Sequence, residues 1–218
     1  MKKNETLDRI RGHSIVPIIR SDDEKRVFSI VKALCAAGIN IVELSLSLPS
    51  TLAILERLVK TFRGSLIAGA GTVLDARTAA SAISAGARFI VSPDTDESVI
   101  STCKRHSIVA CPGALTPGEV VRAWRAGADF VKVFPCNALG GPAYIRSLKA
   151  PLPQVAMIPC GGVTLDTAAE YIKAGAASLF VGSGLFSPHG RPPATVATIT
   201  KTAAKMLSIV KKARSTLT

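Results

Sequence analysis

The chain has 218 residues, 48% of them hydrophobic and 5% aromatic, with a formal net charge of +12, which suits one α/β barrel domain over residues 1–218 and excludes a disordered tail. Five scattered cysteines (Cys35, Cys103, Cys111, Cys136, Cys160) form no Cys-x-x-Cys and no His/Cys cluster, which argues against a disulfide framework or zinc site and for a reducing compartment. The basic residues lack interleaved aromatics, the N-terminus lacks a signal peptide's apolar core, and no apolar run reaches the ~18 residues of a membrane span, so the expectation is a soluble cytoplasmic protein that binds neither nucleic acid nor membrane.

After an N-terminal helix, strands are expected at "SIVPIIR" (14–20), "INIVELSLS" (39–47), "LIAGAGTV" (66–73), "FIVSPD" (89–94), "SIVACPG" (107–113), "FVKVFP" (130–135), "VAMIPCGG" (155–162) and "SLFVGSG" (178–184). Amphipathic stretches separate them, among them "SDDEKRVFSIVKALCAAG", "DARTAASAISAG", "DESVISTCKRH", "TPGEVVRAWRAG" and "TLDTAAEYIKAG", and a last helix runs from about Pro193. Thr116, Pro117 and Glu119 form a helix-start signal. Gly38, Gly86, Gly127 and Gly175 each follow a helical stretch and precede an apolar strand, at separations of 48, 41 and 48 residues. Glycine past a helix end accepts the left-handed conformation that closes the helix. Each period holds about two strand–helix units, so the reading is a parallel (β/α)₈ barrel with an N-terminal helix.

Alternation along the strands sorts side chains into two faces. In "IVELSLS", Val42, Leu44 and Leu46 face the helices, so Glu43, Ser45 and Ser47 point into the barrel. By the same count Lys132 and Phe134 point inward from "FVKVFP", Arg20 from the first strand and Thr72 from the third. Barrel active sites form at strand C-terminal ends. Lys132 and Glu43 alone could be a buried ion pair without chemistry, Arg20 a strand-end surface cation, and Thr72 a satisfied interior hydroxyl. Together they suit carbonyl chemistry. Apolar surroundings disfavour a lysine's charged form, and the free amine adds to a ketone to give an iminium that serves as an electron sink. A carboxylate moves the protons, and an arginine's planar fork suits a keto acid's carboxylate. The glycine turns "CGGVT" (160–164) and "VGSGLF" (181–186) follow the last two strands, where many barrels bind phosphate through backbone N–H groups.

On these residues the chain resembles the 2-keto-3-deoxy-6-phosphogluconate (KDPG) aldolases and their 6-phosphogalactonate and 4-hydroxy-2-oxoglutarate (KHG) relatives. The likeness runs in order through "VPIIR", "AAGINIVELSLS", "IAGAGTVLD", "FIVSPD", "CPGALTPGE", "FVKVFP", "GGPAYIRSLKAPLPQVAMIPCGGV" and "FVGSGLF". It implies a class I aldolase, a homotrimer needing no metal or organic cofactor. Lys132 would form the Schiff base, with Glu43 shuttling protons. Arg20 and Thr72 would hold the pyruvyl carboxylate, with Pro93 and Phe134 around the pyruvyl carbons. Gly161, Gly162, Gly182 and Ser183 would take a distal phosphate. Two positions depart from common family patterns. Ser47 stands where some members carry the carboxylate-binding arginine, which points to Arg20 as its replacement. Cys160 precedes Gly-Gly where many members have threonine and galactonate-type members valine, which leaves the sugar-acid stereochemistry open. Core packing is the plain alternative for Cys160.

The leading expectation is cleavage of 2-keto-3-deoxy-6-phosphogluconate or its galactonate epimer to pyruvate and glyceraldehyde 3-phosphate. Cleavage of 4-hydroxy-2-oxoglutarate to pyruvate and glyoxylate is the alternative within the same mechanism. A phosphate-binding barrel isomerase or synthase, or a non-enzymatic barrel binding a phosphometabolite, is the alternative from another class. His13, His106 and His189 lack catalytic spacing and read as surface or loop residues. Trp124 reads as helix packing or a subunit contact.

Overall fold

All four glycines of the repeat have the left-handed backbone their position demands, with φ of +85° at Gly38, +102° at Gly86, +97° at Gly127 and +95° at Gly175. Each lets the chain leave a helix and enter a strand within a few residues. The computed structural model describes residues 2–48, 50–187 and 193–217; His189 lies outside them.

Helix α1 (Lys3–His13) leads into β1 (Ile15–Ile19), α2 (Glu24–Ala36), β2 (Ile41–Ser45), α3 (Thr51–Thr61), β3 (Ile67–Gly71) and α4 (Ala76–Ser84). Next come β4 (Phe89–Val91), α5 (Glu97–Arg105), β5 (Val109–Cys111) with its continuation β6 (Gly113–Ala114), α6 (Pro117–Ala126) and β7 (Val131–Val133). A 3₁₀ turn (Cys136–Leu139), α7 (Pro142–Lys149), β8 (Met157–Pro159), α8 (Ala168–Lys173), β9 (Leu179–Val181), α9 (Ser183–Phe186) and α10 (Val196–Ser215) complete the chain.

Every strand pairing is parallel. One run follows the order β5-β4-β3-β2-β1-β9 and the other β6-β7-β8. They join through Pro112, which has no N–H to give a ladder, and on the far side through a parallel bridge between Cys160 and Phe180. The Ala177 N–H donates to Met157 O at 2.8 Å beside that bridge. The ring is a (β/α)₈ barrel, as expected. Helix starts are capped as their sequences suggest: Asp23 accepts from the Arg26 N–H, Asp75 from Thr78 and Asp96 from Ser98. Thr116 and Glu119 cap each other's backbone behind Pro117.

Helix α1 packs against β1, β2 and β5, and Lys3 pairs with Asp129, just before β7, at 2.8 Å. It therefore lies across the N-terminal ends of the strands and leaves the opposite end open. Arg11 stacks on Phe130 with 5.4 Å to the ring centroid.

Three expectations need correction. The observed strands are shorter than read, because their ends bend into the functional loops, and the fifth is broken at Pro112. The stretch "TLDTAAEYIKAG" becomes helical only from Ala168, since Thr167 turns its hydroxyl back onto Gly162 O at 2.8 Å. His13 is no loop residue: it ends α1, half-buried, and burial lowers its pKa, with the neighbouring Asn40 side chain opposing the shift. Among the described residues no helix is long and apolar enough to cross a membrane.

Candidate active site

Glu43 and Lys132 are buried polar side chains, 1% and 6% exposed, on opposite sides of the barrel wall, in β2 and β7. No ion pair joins them; the four pairs among the described residues lie elsewhere. Yet each is within the other's field. Burial pushes the Glu43 carboxyl from 4.5 up to about 6, and the charges of Lys132 and then Arg20 hold it from rising further. Glu43 Oε2 is buried without a hydrogen-bond partner. A buried carboxylate oxygen left unpaired is costly, and a bound water, an ion or a catalytic role is among the ways such an exception is accounted for. The space around that carboxylate is provided by Gly71 in β3, where a Cβ would fall 1.7 Å from Glu43 Oε1.

Lys132 pairs in register with Gly113 on one side and Ile158 on the other. Its Nζ lies over the Phe134 ring, 4.8 Å from the centroid. Gly113 brings Pro93 into this neighbourhood: a Cβ on Gly113 would meet Pro93 O at 2.1 Å, and its N–H donates to Asp94 O at 2.9 Å. Thr72, at the end of β3, has φ +59°, the left-handed region that β-branched residues avoid. Its Oγ1 lies 2.8 Å from Ser45 Oγ, which is itself 3.1 Å from Ser47 Oγ. Three hydroxyls thus form one chain from β2 to β3.

A cavity of about 440 Å³ opens beside these groups at the strand C-terminal ends. Its wall includes Arg20, Phe134 and Cys160, the turn residues Gly161 and Gly162, and Gly182 with Ser183. Glu43, Thr72, Lys132, Pro93 and Ser47 are not part of that wall. The β8 turn is held from behind: Tyr171 Oη donates to Gly161 O at 3.2 Å and Thr167 Oγ1 to Gly162 O. Asn137 fills the space beneath, 2.6 Å and 2.5 Å from where side chains on Gly161 and Gly162 would begin. The Gly162 and Val163 N–H groups donate to nothing among the described residues. Cys160 is 7% exposed, its thiol pushed up to about 11 by burial, with Lys132 and Arg20 opposing. Among the described residues no group of three or more His, Cys, Asp or Glu could hold a metal ion.

Sequence reasoning missed Arg26, in the first turn of α2, which lines the same cavity. It reads as a solvent-facing cation, and no strand alternation points it inward. Ser45 was legible as inward-facing, but not as the link between Ser47 and Thr72.

The family profile described as "Aldolase: KDPG and KHG aldolase" matches residues 7–213. The chain belongs to this family. Its members are class I aldolases, carbon–carbon lyases, and the same order of strands and turns carries this chain's buried Lys132 and Glu43. The chain is 34% identical over 172 residues to the 2-dehydro-3-deoxy-phosphogluconate aldolase of Pseudomonas aeruginosa, covering 78% of each chain. It is 34% identical over 173 residues to the 2-dehydro-3-deoxy-6-phosphogalactonate aldolase of Escherichia coli, covering 79% of this chain and 84% of that one. The solved structure described as native KDPGal superposes with a TM-score of 0.84 at 30% identity, over 92% of this chain and 96% of the other. The aldolase relatives thus divide between gluconate and galactonate types at equal identity.

Proposed function

We propose that this chain cleaves a 2-keto-3-deoxy-6-phospho sugar acid, the gluconate or galactonate epimer, to pyruvate and glyceraldehyde 3-phosphate. The observation that carries the reading is the buried pair without an ion pair: Lys132 and Glu43 share one interior, and Glu43 Oε2 has no partner in the protein. A purely structural pair would close that contact.

In this reading the Lys132 amine adds to the C2 carbonyl, and loss of water gives the iminium. Glu43, through a water, takes the C4 hydroxyl proton as the C3–C4 bond breaks and its electrons enter the iminium. The aldehyde leaves, the enamine is protonated at C3, and water releases pyruvate from the lysine. A carboxyl held near 6 suits giving and taking protons near neutrality. Arg20 and Thr72 hold the pyruvyl carboxylate, and Phe134 with Pro93 surrounds its carbons. The turns at Gly161, Gly162, Gly182 and Ser183 receive the phosphate, supported by the unclaimed N–H groups at Gly162 and Val163. Cys160 borders the hydroxylated part of the substrate, and Ser47 stands at the carboxylate end, linked through Ser45 to Thr72. The proposed assembly is a homotrimer, as the resemblance implies, with Trp124, 42% exposed on α6, as a side chain that such packing would cover.

The test is borohydride reduction in the presence of pyruvate, followed by intact mass and peptide mapping. A reduced pyruvyl adduct on Lys132, absent in Lys132→Arg, is the expected result. Folded protein without the adduct overturns the aldolase reading. Faster cleavage of 4-hydroxy-2-oxoglutarate than of either phosphorylated acid overturns its phosphate half.

A further inference from the structure

The cavity wall carries two charged side chains, Arg20 and Arg26, and no carboxylate. The acids of the adjoining segment are engaged or turned away: Asp23 caps the Arg26 backbone N–H at 3.1 Å, Glu24 pairs with Arg57 at 2.6 Å, and Asp22 is exposed. No acid among the described residues comes within ion-pair distance of Arg26. An unpaired guanidinium, half-buried against a cavity, is positioned for an anion from outside the chain.

The two arginines reach the cavity from different elements, Arg20 from the end of β1 and Arg26 from the first turn of α2. Arg20, at the end of β1, is close enough to Glu43 and Cys160 to oppose the rise of their pKa values. Arg26, further along on α2, has no such effect on either group. It lines the cavity together with Ser21, Ile30, Phe186 and Ser187. A monoanionic pyruvyl end needs only the inner cation. A second cation on the same cavity wall as unclaimed backbone N–H groups fits a terminus with more charge and more acceptor oxygens than a carboxylate.

The geometry points to Arg26 as a specificity-determining residue that contacts a phosphoryl group on the aldehyde half of the substrate. This inference rests on the aldolase reading above. The deciding measurement is condensation of pyruvate with D-glyceraldehyde 3-phosphate and, separately, with D-glyceraldehyde, for the wild type, Arg26→Gln and Arg26→Lys. The ratio of kcat/KM values, phosphorylated over unphosphorylated, is expected to fall by about ten- to a hundred-fold in Arg26→Gln, mainly through KM, and to recover in part in Arg26→Lys. Equal losses with both aldehydes, or none with either, overturn the assignment. Borohydride labelling of wild-type Lys132 with pyruvate separates the two failures, since absent labelling in folded protein defeats the aldolase reading itself. In that event calorimetric titration with glycerol 3-phosphate still tests Arg26: weaker binding by Arg26→Gln upholds the anion contact, and unchanged binding overturns it.

Discussion

Gly71 leaves open the space that the Glu43 carboxylate occupies, since a Cβ at Gly71 would stand 1.7 Å from Glu43 Oε1 and 2.4 Å from its carboxyl carbon. Gly71 pairs with Ser45 in the β2–β3 ladder, so the backbone there has little room to shift. Gly71→Ala therefore moves Glu43 rather than the strands. The expected result is a loss of kcat of about a hundred-fold from misplacing the proton carrier, with a stability cost of about 1–3 kcal/mol from overpacking. Steady-state kinetics and thermal melting of the same sample check both; unimpaired turnover would remove Glu43 from the proposed role.

The raised pKa of Glu43 sets a stability window. The folded chain holds this proton up to about 6 while the unfolded chain releases it near 4.5. Between those values the folded state binds more protons at this site, so the Glu43 contribution to stability is fully present below pH 4.5 and is lost as pH rises through about 6. The contribution is about 2 kcal/mol. Urea titrations from pH 4 to pH 7 should show this slope in the wild type, and its removal in Glu43→Gln. The same ionisation should place an acid limb near pH 6 in the kcat/KM profile.

Thr72 combines a strained backbone with a hydrogen bond. Thr72→Ala keeps φ at +59° and loses the 2.8 Å contact to Ser45. Thr72→Gly loses the same contact but relieves the backbone. Glycine should thus be the more stable of the two variants by about 1 kcal/mol, and both should raise KM for pyruvate. A melting order with alanine above glycine would mean that the left-handed backbone costs little here.

Thiol chemistry should be quiet in the folded protein. Burial pushes Cys160 and Cys136 up to about 11, Cys103 up to about 12, and Cys111 well above its ordinary value. Only half-buried Cys35 offers iodoacetamide a target, and a slow one, because burial raises its pKa too. At pH 7.5 mass spectrometry should find at most one alkylation, against five in urea. Prompt labelling of Cys160 in native protein would contradict its burial.

Much of the barrel could be read from the sequence because its signals are local. Ala-Gly steps close helices, apolar runs of five or so residues form strands, and Thr116-Pro117 with Glu119 opens α6. Helices α3 and α7 were not singled out, since "TLAILERLVKT" and "PAYIRSLK" lack the acidic starts that marked the others. Alternation sufficed for Glu43 and Lys132, whose inward direction is a property of a single strand. It could not show that they stop short of an ion pair, nor that Thr72, Pro93 and Ser47 stand off the cavity wall. Those facts depend on how separate strands lean together. Arg26 was illegible for the same reason, as only the path of the chain after β1 brings the first turn of α2 over the β9 turn.

The bridge between Cys160 and Phe180 closes the ring at a lightly stitched seam, between β8 and β9. Both stitching residues also line the cavity. A lineage that altered its choice of sugar acid by changing residue 160 would be editing a hinge pin as well as a pocket. Shifts in stereochemical preference at that position should therefore come with changes in how firmly the barrel stays shut, and amide exchange at Ala177 and Phe180 is where that coupling would first be seen.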